Sequence, residues 1–164
     1  MPIGAFGGRA DIMELVREDR LGAEDDYVWT ASTLGGNPLS CSAALACLEI
    51  LRGDGVYEQL YALGDYLRQQ MRHMLKSHGV TAQVLGDGPL AQIALVASEP
   101  HDYRTSQHKT PKLARKIMLE LFRRGVFLNP MGTKLYLSLA HTSAACDEFC
   151  GLLSDTLADV LVDD

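Results

Sequence analysis

The sequence contains no apolar run approaching the ~18 residues that a membrane-spanning helix requires. Its first residues, MPIGAFGGRADIM, lack the basic start and apolar stretch of a secretory signal. Positive charge is in short supply, with 15 Lys and Arg against 21 Asp and Glu and a formal net charge of -6. That balance argues against a nucleic-acid partner, because affinity for phosphate backbones comes from clustered cations. The four cysteines, Cys41, Cys47, Cys146 and Cys150, include no C-x-x-C pair. Without a signal segment they read as reduced, small core residues, and the expected location is cytoplasmic. No G-x-x-x-x-G-K-[ST] loop occurs, and there is neither an internal repeat nor a low-complexity stretch.

What is present is an ordinary globular composition, 47% hydrophobic and 22% charged, over 164 residues. Residues 3–8 read as a short strand running into a glycine turn, and residues 9–16 as a short helix. A charged loop over 17–29 follows. The next helix, over 38–52, is small and apolar nearly all round, a pattern that asks for burial on every side. Part of its cover is therefore expected to lie outside these residues. Val56, Leu60, Leu63, Leu67, Met71 and Met74 then recur at spacings of four and three, which predicts a long amphipathic helix closed by Gly79. Strands are predicted over 81–85 and 90–97 around a Gly86-Asp87-Gly88-Pro89 turn. A helix over 110–124, strands from 126–128 and 135–139, and a final helix over 143–161 complete an α+β layer arrangement with a small, mainly antiparallel sheet.

The stretch with most chemical promise is Ser32-Thr33-Leu34-Gly35-Gly36-Asn37-Pro38. Asn37 is a good N-cap and Pro38 suits the first helical position, where its missing N–H costs nothing. A helix start preceded by glycines and two hydroxyls is a ready anion site, although every capped helix start shares part of that property.

Three motifs carry a family resemblance. Met1-Pro2-Ile3-Gly4-Ala5-Phe6-Gly7-Gly8-Arg9 is similar to the segment that follows the Schiff-base lysine in class III, pyridoxal-phosphate-dependent aminotransferases. Ser32-Thr33-Leu34-Gly35-Gly36-Asn37-Pro38-Leu39 resembles that family's G-T-(F/L/Y)-(S/G)-G-N-P-L element. Arg124-Gly125-Val126-Phe127-Leu128-Asn129-Pro130 and Ser138-Leu139-Ala140-His141-Thr142 resemble elements of the glutamate-1-semialdehyde 2,1-aminomutase branch. The resemblance implies the C-terminal part of the type I, aspartate-aminotransferase-like fold. Residues 1–55 would be the tail of an incomplete large cofactor-binding domain, and 56–164 the C-terminal small domain. It also implies pyridoxal 5'-phosphate as cofactor, with Ser32 and Thr33 contacting its phosphate in a site shared across a homodimer. The substrate would be a small amino compound. In the aminomutase case, nitrogen moves between adjacent carbons of glutamate-1-semialdehyde to give 5-aminolevulinate. The lysine and the acidic partner of the pyridine nitrogen are expected upstream of Met1, so this chain alone is expected to be inactive.

Other residues invite weaker readings. A Schiff-base lysine needs burial to lower its pKa. Lys109, Lys112 and Lys116 fall on one helix face, Lys76 lies near a helix end, and Lys134 follows a turn, so none is read as that lysine. No catalytic residue and no metal ligand is assigned. Cys146 and Cys150 share an apolar helix face and read as core. His101 and His108 read as surface residues, His141 as structural or placed near the active-site mouth in the family motif, and Asp65 with Arg68 as a simple helix pair. The basic run from Lys109 to Arg124, opposed by Glu120 alone, reads as a solvated face. Met131-Gly132-Thr133-Lys134 departs from the family's usual serine and bulky residues, so aminotransferase stands beside aminomutase on the substrate side. The competing reading is a non-catalytic, stand-alone binding or dimerisation module derived from the same fold.

Overall fold

The computed structural model describes residues 1–20, 22, 27–30, 32–106, 111–128 and 134–162, which form two compact units, Met1–Gly53 and Asp54–Asp164. In the first unit, residues 1–9 carry no regular structure, so the strand expected over 3–8 does not form. Gly4, Gly7 and Gly8 lower strand propensity there, and the described residues supply no neighbouring strand to pair with. Helix α1 (Ala10–Met13) runs into tight turns at Glu14–Val16 and Glu18–Arg20. Helix α2 (Pro38–Leu51) starts as the sequence implies. Asn37 Oδ1 accepts from the N–H groups of Leu39 and Ser40 at 3.0 and 3.2 Å. Only Ser40 is buried in α2, while Leu39, Leu45, Leu48 and Ile50 are exposed.

The second unit is built around one core. Helix α3 (Val56–Ser77) buries Leu60, Leu67, Met71 and Met74 from its apolar stripe. Gly79, at φ 67°, closes it, with Gly79 N–H donating to Lys76 O and Val80 N–H to Leu75 O. Strands β1 (Gln83–Leu85) and β2 (Leu90–Ala94) pair antiparallel with Val84 opposite Ile93, and β2 pairs with β3 (Lys134–Tyr136) with Ala91 opposite Leu135. The order β1-β2-β3 makes a small antiparallel sheet, with strands shorter than the sequence suggests. Helix α4 (Pro111–Arg123) ends at Gly125, φ 86°, through the same pair of closing bonds; the expected start at Thr110 lies outside the described residues. Residues 126–128 carry no ladder, so the strand expected there is absent. Phe127 is 85% exposed and stacks on Phe122 at 5.4 Å instead. Helix α5 (Ser143–Val162) packs against α3 and α4, and α3 packs against β1 and β2. Leu153 and Leu157 of α5 join Met71, Ile93 and Leu121 in the core.

Asp65 and Arg68 do more than pair along a helix. Arg68 is 3% exposed, and its Nη1 donates to the carbonyls of Gly88 and Leu90 at 2.7 and 2.6 Å. The reason is Gly64: a Cβ there would sit 1.8 Å from Gly88 O, so only glycine lets the β1–β2 turn approach α3 this closely. The approach brings two turn carbonyls within reach of one guanidinium fork, while Asp65 holds the other end at 2.6 Å.

Candidate functional site

Ahead of α2 the chain makes two overlapping turns, with Gly35 N–H donating to Ser32 O at 3.2 Å and Asn37 N–H to Leu34 O at 3.3 Å. Gly36 sits at φ 67°, a conformation that other residues resist. The Asn37 cap takes the N–H groups of Leu39 and Ser40, and Cys41 N–H returns to Asn37 O at 3.0 Å. The helix end therefore keeps few donors for a ligand, which corrects the simplest version of the anion reading. The donors that remain lie in the turn. Among the described residues, the hydroxyls of Ser32 and Thr33 have no hydrogen-bond partner, nor do the N–H groups of Thr33 and Leu34.

A cavity of about 1060 Å³ opens beside this turn. One wall is Pro2 to Phe6, and another is Thr30, Ser32, Leu34 to Asn37, Ser40 and Cys41. Ser32 lines it directly, whereas Thr33 stands exposed in the turn and is not part of the wall. The two N-terminal motifs, distant in sequence, thus share one cavity. Its size suits a small-molecule ligand. The charge around it is mostly spoken for. Arg9 is paired with Asp11, whose carboxyl it holds below the usual range, and Arg17 is paired with Asp19 and Glu14. Glu18 is exposed at the cavity's edge. What the turn offers a phosphate is a set of neutral donors, hydroxyl and amide, on a glycine-containing backbone.

The other candidate residues sit in the second unit. Lys134 and His141 line a second cavity of about 580 Å³ whose other walls include Leu67, Val126, Leu128, Leu135 and Phe149. Lys134 is exposed. The Nδ1 of His141 accepts from Ser138 N–H at 3.0 Å, so its ring proton lies on Nε2 and its orientation is fixed by a local loop. Lys76 and Lys112 are exposed, and the half-buried Lys116 donates to Val160 O at 3.3 Å. Lys109 and His108 lie outside the described residues, as do Asn129, Pro130 and Met131-Gly132-Thr133. The basic run is partly neutralised, since Glu120 pairs with both Arg123 and Arg124 and Asp159 pairs with Arg124. Cys146 is buried, and burial with the neighbouring Cys146 and Asp147 pushes the Cys150 thiol up to about 11. Among the described residues no group of His, Cys, Asp and Glu is placed to hold a metal ion.

The family model for aminotransferase class-III matches residues 1–157. The chain belongs to the class-III aminotransferases. Two relatives named glutamate-1-semialdehyde 2,1-aminomutase, from Symbiobacterium thermophilum and Opitutus terrae, are 34% and 32% identical to it over 161 residues, 98% of this chain. The chain spans 36% of the length of each. An omega-transaminase from Sphaerobacter thermophilus superposes with a TM-score of 0.79 at 26% identity, covering 94% of this chain and 34% of that one. The fold is accordingly the C-terminal part of the type I transferase fold, with helices on a small antiparallel sheet, as the motifs implied. Sequence reasoning read Arg68 only as half of a helix pair and passed over Ser40. Ser40 left one signal: it is a hydroxyl in the first turn of a mostly apolar helix.

Proposed function

We propose that this class-III aminotransferase chain supplies the shared phosphate turn and the closing domain of an enzyme that transfers amino groups on small amino substrates. Among such enzymes, the reading favours one of the glutamate-1-semialdehyde 2,1-aminomutase kind. Residues 1–55 act as the tail of the large cofactor-binding domain and 56–164 as the small domain, in a cytoplasmic homodimer. Pyridoxal 5'-phosphate, when bound, supplies the electron sink and the carbonyl that takes up the amino group. The observation that carries this reading is the turn itself: the Ser32 and Thr33 hydroxyls, with the Thr33 and Leu34 N–H groups, have no partners in the described chain. Ser32 and Thr33 would hold the phosphate by hydrogen bonds, and Gly35 and Gly36 would let the backbone approach it.

Among the described residues the chain's own groups bind and orient, and none is placed to perform the proton transfers. Those need a lysine in an enclosed site whose amine is neutral at working pH. Lys76, Lys112 and Lys134 are exposed, and the Lys116 ammonium is held by a backbone carbonyl. The 164-residue polypeptide by itself is therefore inactive in this reading. Adding pyridoxal phosphate tests it. The cofactor should bind in competition with inorganic phosphate, Ser32→Ala and Thr33→Ala should weaken it, and no amine turnover should appear. A lysine-dependent visible absorbance band, or turnover that vanishes on substituting one lysine, would overturn the inactive-chain reading. Binding that neither hydroxyl variant alters would favour the stand-alone module.

A further inference from the structure

Ser40 is the one residue of α2 that is buried, with 4% of its surface exposed. Its N–H is taken by the Asn37 cap, but its Oγ has no hydrogen-bond partner among the described residues. A buried hydroxyl normally finds a partner, because leaving it unmade forfeits its hydration without return. Within a helix a serine can instead bond back to a carbonyl three or four residues earlier, and Ser40, in the first turn of α2, makes no such bond. Nor is the oxygen sealed away: Thr156 alone, among the described residues, carries a fully enclosed side-chain oxygen without a partner. Ser40 lines the cavity that Ser32 lines, one helical turn inside the α2 start. Two hydroxyls thus reach one cavity from separate elements, the exposed one from the turn and the buried one from the helix.

We infer that Ser40 is a further anion-binding residue of the phosphate turn, its hydroxyl donating to an oxygen of a bound phosphate monoester from the helix side. The inference rests on the phosphate reading of that turn and adds to it a residue that no family motif assigns. It accounts for a serine at the most buried position of an apolar helix, where alanine would pack at lower cost. The Asn37 cap does not compete with it, since the cap consumes the Ser40 N–H and leaves the side chain free. Glu18 works in the opposite direction. Its exposed carboxylate at the cavity's edge repels the same anion and sets a ceiling on affinity.

The test uses the full 164-residue chain with three probes, inorganic phosphate, pyridoxal phosphate and pyridoxal, followed by calorimetry and by phosphorus NMR line width. Phosphate and pyridoxal phosphate should bind, and pyridoxal should bind far more weakly. Ser40→Ala and the nearly isosteric Ser40→Cys should each weaken both phosphate probes by about ten- to a hundredfold, the worth of one hydrogen bond to a charged acceptor. Unchanged helical circular dichroism in the Cys variant separates lost binding from lost structure. Glu18→Gln should tighten both probes. If the Ser40 variants bind like the parent while Ser32→Ala weakens binding, the Ser40 assignment is overturned and the turn's phosphate reading stands. If the parent shows no saturable phosphate binding, or pyridoxal binds as well as its phosphate, both fall.

Discussion

Helices α2 and α5 are both rich in small and apolar residues, yet the fold treats them in opposite ways. In α5, Cys146, Leu153, Leu157 and Val160 are buried, and the helix packs against α3 and α4. In α2, Leu39, Leu45, Leu48 and Ile50 stand exposed and a serine takes the buried position. Composition alone therefore does not decide burial. A helix is buried when neighbouring elements turn complementary apolar faces toward it, and Asp54–Asp164 contains three helices and a sheet that do so. Met1–Gly53 has short turns and an irregular N-terminal strand of chain, with little apolar surface organised to meet α2.

Truncating one leucine in each helix should separate the two most strongly. Leu157, fully buried, becomes alanine at a cost of ~2–5 kcal/mol in global stability, by lost transfer energy and the cavity left behind. Leu45→Ala, at a site 63% exposed, should stay within ~0.5 kcal/mol. Denaturant unfolding of both variants measures the difference. Equal costs would show that α2 is covered in solution, by a second copy or otherwise, and sedimentation of the parent chain at several concentrations would say which.

The second prediction concerns a contact that the sequence hid. Arg68→Met keeps the aliphatic stem and leaves the Gly88 and Leu90 carbonyls without their donor, which should cost ~1–3 kcal/mol. Arg68→Lys should not restore it, because one ammonium cannot reproduce the fork that also reaches Asp65. Thermal unfolding of the pair checks this. A full rescue by lysine would mean that charge, and not geometry, is what the turn requires.

Why Arg68 was illegible while α3 was plain is a matter of range. The α3 stripe, its Gly79 closure and the Asn37–Pro38 start of α2 are local signals, each set by spacing or by one residue's backbone preference. The Arg68 contact depends on Gly64 meeting Gly88 across 24 residues of chain, and nothing at position 68 announces it. The strands expected over 3–8 and 126–128 fail for a related reason. Glycines weaken the first of these segments, and in both a strand exists only where a neighbour completes its ladder. The proposed site divides in the same way. Ser32 and Thr33 enter it through a motif, whereas Ser40 enters it only once its burial and missing partner are known.

A smaller effect belongs to the first unit. Asn37→Ala removes the acceptor that holds Leu39 and Ser40 N–H, and should cost about 1 kcal/mol, confined to the first turn of α2. Hydrogen exchange should quicken at residues 39 and 40 and remain unchanged in α3 and α5. Asn37→Asp should restore the cap. If exchange in α3 also quickens, the two units share one cooperative transition and their contrast in packing does not extend to their stability.

The smallest expected effect compares one cysteine from each unit. Cys47 is exposed, while burial, with Cys146 and Asp147, pushes the folded Cys150 thiol up to about 11. An unfolded cysteine titrates near ~8.5. Below that value both states hold the proton and pH has no leverage through this group. As pH rises from there toward about 11, the unfolded chain loses the proton first, so the stability contributed by the neutral Cys150 thiol is progressively lost. Cys150→Ala should flatten the fall of Tm across this alkaline window, though Tyr66, raised by its hydrogen bond to Asp147, leaves part of the slope in place. Alkylation at neutral pH gives the matching kinetic readout, with Cys47 modified well ahead of Cys150. If Cys150 reacts as fast as Cys47, partial burial on α5 gives its thiol no more protection than exposure on α2 gives Cys47.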